Sequence, residues 1–190
     1  GVCTVPRGSG EDAGLDPAVT SLALLHLPIH AEIGLDLKHI LSAALTRLRI
    51  THSPFLTGPL RELQRCANLE ELNLSGTAVR GALSDLAGLV QLRALHLNHC
   101  CEVGGNLVDL GPCQLLEEIG LAKTRVVGDV SVLRNLGALT HANLSWTGVH
   151  GRVKDTGYCR GRGFALYVLH TRVVDNVEDH WLRPKTHQRS

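Results

Sequence analysis

Residues 69–92 read LEELNLSGTAVRGALSDLAGLVQL, and this stretch joins two different spacings of apolar residues. Leu72 and Leu74 alternate with polar neighbours, which is the two-residue period of a strand with one buried face. After Gly81 the apolar residues recur at every third position, as Leu83, Leu86, Leu89 and Leu92. That spacing is typical of a 3₁₀-like return segment with one apolar edge. The stretch therefore predicts one coil made of a strand, a corner and a return.

The same pattern recurs along the chain at a nearly fixed period. Its marker is a Leu-x-x-Leu-x-Leu hexad, whose first residue we place at Leu22, Leu45, Leu69, Leu92, Leu116 and Leu139. Steps of 23, 24, 23, 24 and 23 residues separate these positions, and a Gly follows each hexad by seven or eight residues. One coil cannot bury its apolar ladder alone, so we expect the coils to stack with parallel strands about 4.8 Å apart.

These hexads, followed by Ser/Thr-x-Val and then Gly-x-Leu or Gly-x-Val, resemble leucine-rich repeats over residues 22–153. The stretches LNLSGTAVRGALSDLAGL and ANLSWTGVHGRV resemble the plant-type subclass, with its Thr-Val-Gly pattern. The resemblance implies an α/β repeat solenoid, a horseshoe with a concave parallel β-sheet and short 3₁₀ or irregular convex segments. The family commonly has Asn three positions after the hexad. This chain has mostly hydroxyl side chains there, from which we expect a shorter hydrogen-bond ladder between coils.

We divide the chain into three segments. Residues 1–21 are an irregular N-terminal segment or cap, residues 22–153 hold about six repeats of 23–24 residues, and residues 154–190 are a degenerate seventh repeat, a C-terminal cap or a tail. The sequence contains no Met and begins without the basic start and apolar core of a signal peptide, which predicts a piece of a longer product.

Composition excludes several classes of function. Of the 190 residues, 19 are Lys or Arg and 18 are Asp or Glu, so a net charge of +1 gives no basic field for nucleic acid or an anionic membrane. No apolar run reaches the roughly 18 residues that a membrane span requires. Six cysteines match neither a zinc motif nor a disulfide scaffold, which favours a reducing, cytoplasmic-type compartment.

The resemblance implies that a protein or peptide partner binds on the concave sheet. Residues inside and just after each hexad then form the candidate site: Arg47, Arg49, Glu71, Asn73, His96, His99, Glu118, Lys123, His141, Asn143 and Trp146. Trp146 is either an interface anchor or a cover for the end of the solenoid. The alternating charges either steer a partner or pair across the strands.

Other chemistries have weaker support in the sequence. His96 and His99, next to Cys100 and Cys101, are a candidate for Zn²⁺ or Cu²⁺, but the spacing matches no established motif, and we predict no metal and no cofactor. No phosphate loop, His-Glu-x-x-His or Gly-x-Ser-x-Gly motif is present, so we predict no catalysis. Asn73 and Asn143 begin Asn-Leu-Ser sequons, which would accept glycans only in a secreted chain.

The sequence therefore predicts a protein–protein interaction module without catalysis of its own. The alternative is a ligand-sensing fragment of a larger receptor-like kinase or signalling protein.

Overall fold

The computed structural model describes residues 20–25, 35–157 and 164–174. One strand of each coil joins a seven-stranded parallel sheet, here called the concave sheet. Its strands follow chain order: β1 (Ser21–Leu25), β3 (Arg47–Thr51), β5 (Glu71–Asn73), β7 (Ala94–His96), β9 (Glu118–Gly120), β11 (His141–Asn143) and β13 (Ala165–Tyr167). The predicted parallel stacking of the coils is confirmed, and β13 extends it beyond the six predicted repeats.

A second seven-stranded parallel sheet, here called the flanking sheet, was not predicted. It contains β2 (Leu35–Asp36), β4 (Leu56–Pro59), β6 (Ala78–Ala82), β8 (Glu102–Asn106), β10 (Arg125–Asp129), β12 (Gly148–Arg152) and β14 (Arg172–Val174). These strands cover the segments after the hexads that the sequence analysis interpreted as corners. The strands from β6 to β12 each combine one fully buried Val with Gly, which is too little alternation to predict a strand.

The predicted 3₁₀ return segments are confirmed. They are η1 (Leu37–His39), η2 (Leu60–Arg65), η3 (Leu83–Leu86), η4 (Leu107–Leu110), η5 (Val130–Asn135) and η6 (Val153–Thr156). Side chains just before some of these 3₁₀ segments cap their N-termini. Asn106 Oδ1 accepts a hydrogen bond from Val108 N at 3.1 Å, and Asp129 Oδ1 accepts one from Ser131 N at 2.7 Å. Such caps satisfy backbone N–H groups that a helix leaves without partners.

The core lies between the two sheets and the 3₁₀ segments. Equivalent residues of successive concave strands pair directly, giving one buried column: Leu22, Leu48, Leu72, Leu95, Ile119, Ala142 and Leu166. Cys66, Cys100 and Cys113 are free thiols in this core. Burial raises their pKa values and keeps them protonated, so they pack as small apolar side chains.

The register of the first coil differs from the predicted one. The pairing places Leu22 opposite Leu48, which is the fourth residue of its hexad rather than the first. The first hexad therefore begins three residues earlier than predicted, at Val19, outside the described residues. The competing LALLHL segment misled the alignment because three of its four leucines fall on the hexad positions. His26 and Ile29 of that alignment also lie outside the described residues.

The threonine hydroxyls after the hexads bond to carbonyls of their own coil. Contacts to the next coil also occur: Thr77 Oγ1 lies 3.7 Å from Cys100 Sγ, and Ser75 Oγ accepts from Asn98 Nδ2 at 3.5 Å. Thr77 Oγ1 donates to Leu74 O at 2.7 Å, and Thr124 and Thr147 make the same bond to the residue three positions earlier. A hydroxyl on so short a side chain reaches the carbonyl of its own turn. The Cys100 thiol does reach the preceding coil, at 3.1 Å from Leu74 O.

Candidate binding face

The exposed side of the concave sheet consists of straight rows of side chains. Because equivalent residues pair strand to strand, each outward hexad position forms one row across the coils. The third hexad position gives the row Arg47, Glu71, Ala94, Glu118, His141 and Ala165. The fifth position gives the row Arg49, Asn73, His96, Gly120, Asn143 and Tyr167. The candidate residues within the hexads therefore belong to two adjacent rows on one face.

A groove of about 270 Å³ lies on the N-terminal half of this face. It brings together six of the candidate residues: Arg47, Arg49, Glu71, Asn73, His96 and Glu118. Its lining also includes Arg93 and Glu117, which were not among the candidates because they occupy the second hexad position. Arg93 and Glu117 each lie one residue before a strand begins. The alternation of inward and outward side chains within the strand therefore does not direct them into the core. The groove lining does not include His99, Lys123, His141, Asn143 or Trp146.

Three basic side chains of the groove each contact an acidic side chain of the next coil. The contacts are Arg47 Nε to Glu71 Oε1 at 3.3 Å, Arg93 Nη1 to Glu117 Oε1 at 2.7 Å, and His96 Nε2 to Glu118 Oε2 at 3.2 Å. All six side chains keep substantial exposure, from 27% to 58%. Exposed pairs of this kind contribute about 0–1 kcal/mol each, so their main effect is on the surface potential of the groove.

Arg49 differs from the other cations of the groove. It is exposed, and it has no ion pair or side-chain hydrogen bond with any part of the chain that the structure describes. Its row neighbours are the small Ala23 on one side and the neutral Asn73 on the other. The guanidinium therefore leaves an uncompensated positive charge on the groove wall.

The centre of the face has a polar cluster that sequence reasoning did not include. A side chain on Gly120 would collide with Asn98 and His96, since its Cβ would lie 2.5 Å from Asn98 Nδ2 and 2.8 Å from His96 Nδ1. The missing side chain thus makes room for both groups. Asn98 Oδ1 accepts from Ala122 N at 3.0 Å and so joins two coils. The sequence could have indicated Asn98, because it directly follows its hexad at the position where other coils have Ser75 and Ser145.

Three candidate residues lie at the edge of the sheet instead of within its strands. His99, Lys123 and Trp146 adopt φ values of 62°, 58° and 61°, in the left-handed region, where the chain turns from the concave to the flanking sheet. Each still extends the backbone ladder, as when His99 N donates to Ala122 O at 2.8 Å. The sequence analysis placed them just after the hexads, and the structure has a turn there, immediately after the last buried hexad residue.

Exposed apolar side chains gather at the C-terminal end of the described face. Trp146 is 50% exposed, and its ring stacks on that of His170 at a centroid distance of 3.7 Å. Tyr167 and Leu169, in the adjacent coil, are 58% and 64% exposed. Trp146 N donates to Leu169 O at 2.8 Å, which places the two residues side by side. We call Trp146, Tyr167 and Leu169 the apolar end of the face.

The two sequon asparagines have local structural bonds. Asn73 Oδ1 accepts from Ser75 N, and Asn143 Oδ1 accepts from Ser145 N, both at 3.1 Å. Each amide therefore stabilises the turn that follows its strand. This gives the recurring Asn a structural role that depends only on the backbone N–H of the residue two positions later.

The structure separates the residues of the candidate metal cluster. Cys100 is buried in the core, whereas Cys101 and His99 are exposed at the turn. Within residues 20–25, 35–157 and 164–174, no group of three or more His, Cys, Asp or Glu side chains is arranged to hold a metal ion. Among the same residues, no helix has the length and apolar character needed to cross a membrane.

Comparisons with known proteins identify the fold. No family model matches the sequence, and no curated protein matches it. Solved structures do match. An internalin from Listeria monocytogenes is 17% identical with a TM-score of 0.52, covering 74% of this chain and 46% of the internalin. The Arabidopsis receptor kinase HAESA, solved with the peptide hormone IDA and the co-receptor SERK1, is 21% identical with a TM-score of 0.57.

The share of the solved protein that the match covers differs widely between these structures. The chain aligns over 69% of its own length with HAESA but spans only 22% of that protein. The ectodomain of the receptor kinase SOBIR1 from Arabidopsis thaliana is 18% identical with a TM-score of 0.55, and 68% of this chain covers 73% of it. Together with the two stacked parallel sheets and the repeating hexads, these likenesses establish that the chain has the leucine-rich-repeat fold.

Proposed function

We propose that this chain is a protein-recognition module that binds a protein or peptide partner on the concave face and performs no catalysis. The observation that carries the proposal is the groove itself. Charged side chains of both signs line it in straight rows, remain exposed, and contribute little to stability. Charges arranged in this way steer and select a partner with a complementary pattern.

The chemistry of the described residues agrees with binding rather than catalysis. The thiols of Cys66, Cys100 and Cys113 are buried, and burial raises their pKa values, which disfavours the nucleophilic thiolate. The carboxylates of Glu71, Glu117 and Glu118 each contact a basic side chain and stay about half exposed, which suits a recognition surface.

A phage library of random twelve-residue peptides tests the proposal without assuming any particular partner sequence. Peptides selected on the wild-type chain are re-tested on Glu118→Lys, which reverses a charge in the groove. Glu102→Lys is the matched control on the flanking sheet. Each substitution removes one contact with a basic residue, and the two carboxylates are similarly exposed, at 50% and 57%.

We expect most selected peptides to lose binding to Glu118→Lys and to keep binding to Glu102→Lys. Circular dichroism and thermal unfolding check that both variants remain folded. Peptides that bind both variants equally, or that lose binding only to Glu102→Lys, would place the binding surface elsewhere and contradict the proposal.

A further inference from the structure

We propose that the partner segment is extended, crosses the concave strands, and has an acidic side chain for Arg49 and a large apolar side chain for the apolar end about seven residues away. The inference rests on the proposed function and specifies the partner that the face fits. Its basis is the contrast between Arg49 and Tyr167, which lie near opposite ends of one row of side chains.

The N-terminal end of this row offers an exposed cation without a carboxylate partner among the described residues. Arg47 and Arg93 each contact a carboxylate, whereas Arg49 contacts none among the described residues. Asn73 adds a second donor beside it. The Asn73 side-chain oxygen already accepts from Ser75 N, which leaves its NH₂ group to donate. A guanidinium flanked by an amide donor matches the two oxygens of a carboxylate.

The C-terminal end of the row offers exposed apolar surface among the described residues. Tyr167 and Leu169 have more than half of their area exposed, and Trp146 has half. Exposed aromatic side chains that combine apolar area with a polar atom are typical anchors of protein interfaces. Stacking on His170 holds the Trp146 ring in place, which lowers the conformational entropy lost when a partner binds.

Between the two ends the basic and acidic side chains are mostly in contact with each other. Arg47 contacts Glu71 and His96 contacts Glu118, and the side chains of Asn98 and His96 occupy the space beside Gly120. This middle part provides polar contacts without a second strong anchor. The spacing of the two anchors therefore decides which segments fit.

Strand geometry sets this spacing. Five strand steps separate β3 from β13, and steps of about 4.8 Å give roughly 24 Å. An extended peptide rises about 3.3 Å per residue, so about seven residues cover this distance. A helix rises about 1.5 Å per residue and would need roughly sixteen residues.

Synthetic peptides provide the test. Each is a fluorescein-labelled thirteen-residue peptide with blocked ends, made of Ser, Thr and Asn apart from one Asp and one Trp. One peptide has the two residues seven positions apart, a second has the same spacing in the reverse order, and a third has them three positions apart. A fourth replaces Asp by Asn in the long-spaced design. Fluorescence anisotropy measures the affinity of each peptide for the full chain.

We expect one of the two long-spaced peptides to bind about tenfold more tightly than the short-spaced one. Arg49→Gln should weaken the binding of the Asp peptide about tenfold and leave that of the Asn peptide unchanged. Tyr167→Ser should weaken the binding of both the Asp peptide and the Asn peptide. Arg80→Gln is the matched control, since Arg80 is an exposed arginine of the flanking sheet without an ion pair to the described residues.

Several results would overturn the inference. These are equal affinity for both spacings, no binding of any peptide, or an Arg49→Gln effect that is the same for Asp and Asn. Displacement of the probe by a peptide of residues 175–190, or a dimer that Tyr167→Ser abolishes, would assign the apolar end to the chain itself. If phage peptides depend on Glu118 but lack the acidic and apolar pair, the proposed function stands and this inference fails.

Discussion

The concave and flanking sheets differ in how successive coils align. In the concave sheet, equivalent residues lie opposite each other, as Leu72 does with Leu95. In the flanking sheet each strand is shifted by two residues, so that Gly81 pairs with Val103 and Gly105 with Val126. The direct alignment turns each hexad position into a straight surface row. The shift places each Gly next to the buried Val of the following coil.

This difference assigns separate roles to the two sheets. The concave sheet presents exposed rows in which the side chain can vary from coil to coil without disturbing the core. The flanking sheet needs a particular backbone, because Gly58, Gly81, Gly105, Gly128 and Gly151 all have φ values between 106° and 139°. Only glycine adopts that region without strain.

The largest expected effect comes from the buried column of the concave sheet. Leu95→Ala should lower the free energy of unfolding by about 2–5 kcal/mol, because the fully buried side chain leaves a cavity in the central coil. Leu169→Ala is the matched control, since this leucine is 64% exposed and should change stability by no more than about 0.5 kcal/mol. Urea unfolding followed by circular dichroism measures both, and equal losses would contradict the assigned burial.

The second prediction compares two adjacent glycines of the flanking sheet, which differ in backbone conformation. Gly105→Ala should destabilise the chain by about 1–3 kcal/mol, because its φ is 106° and the new Cβ would lie 2.7 Å from Leu83 N. Gly104→Ala should be nearly neutral, since its Cβ would meet Arg125 O at an ordinary 3.5 Å. The same urea experiment compares them. A larger loss for Gly104→Ala would mean that the strand is shifted by one residue.

A smaller effect tests the link between the flanking sheet and its 3₁₀ segments. Hydrogen bonds from the Ser131 backbone and side chain lower the pKa of Asp129. A lowered pKa in the folded state stabilises the fold above the pKa of the unfolded carboxyl, about 3.9, and this contribution is lost as the pH falls through the lower folded value. Wild type should therefore exceed Asp129→Asn in stability at pH 6, with a smaller difference at pH 3. A difference that widens towards pH 3 would contradict this assignment.

The smallest expected effect concerns the exposed charges of the concave sheet. Removing the contact between Arg93 and Glu117, by changing either residue to Gln, should cost less than about 1 kcal/mol, because both side chains are about half exposed. Thermal unfolding of the two single variants and the double variant measures the coupling. A coupling above about 2 kcal/mol would show that this pair stabilises the fold, as a buried pair does when one partner is lost.

The sequence predicts the concave sheet and the 3₁₀ segments well because both depend on strict spacing of buried leucines. Leu83, Leu86, Leu89 and Leu92 are all fully buried, as the three-residue period requires. The flanking sheet was missed because one buried Val next to a left-handed Gly resembles a turn at the level of local propensity. Its strands form through pairing with neighbouring coils, which local patterns do not reveal.

The sequence predicts which residues of the candidate site share a row, because each row on the concave sheet consists of one hexad position. Arg47, Arg49 and Glu71 lie together because their coils align directly. His99, Lys123 and Trp146, expected just after the hexads, lie at a turn that the hexad spacing does not describe, because the period-two alternation stops where φ becomes positive. The pairing of individual charges, and the absence of a partner for Arg49 among the described residues, depend on side-chain positions that spacing alone does not determine.

Hydroxyl-radical footprinting of the chain, with and without a bound phage-selected peptide, tests the central claim most directly. The measurement reports the solvent access of individual side chains by mass spectrometry. We expect protection of His96, Trp146 and Tyr167 on the concave face, with no change at Val127 and His150 on the flanking sheet. Protection of Val127 and His150 with the concave face unchanged would contradict the account.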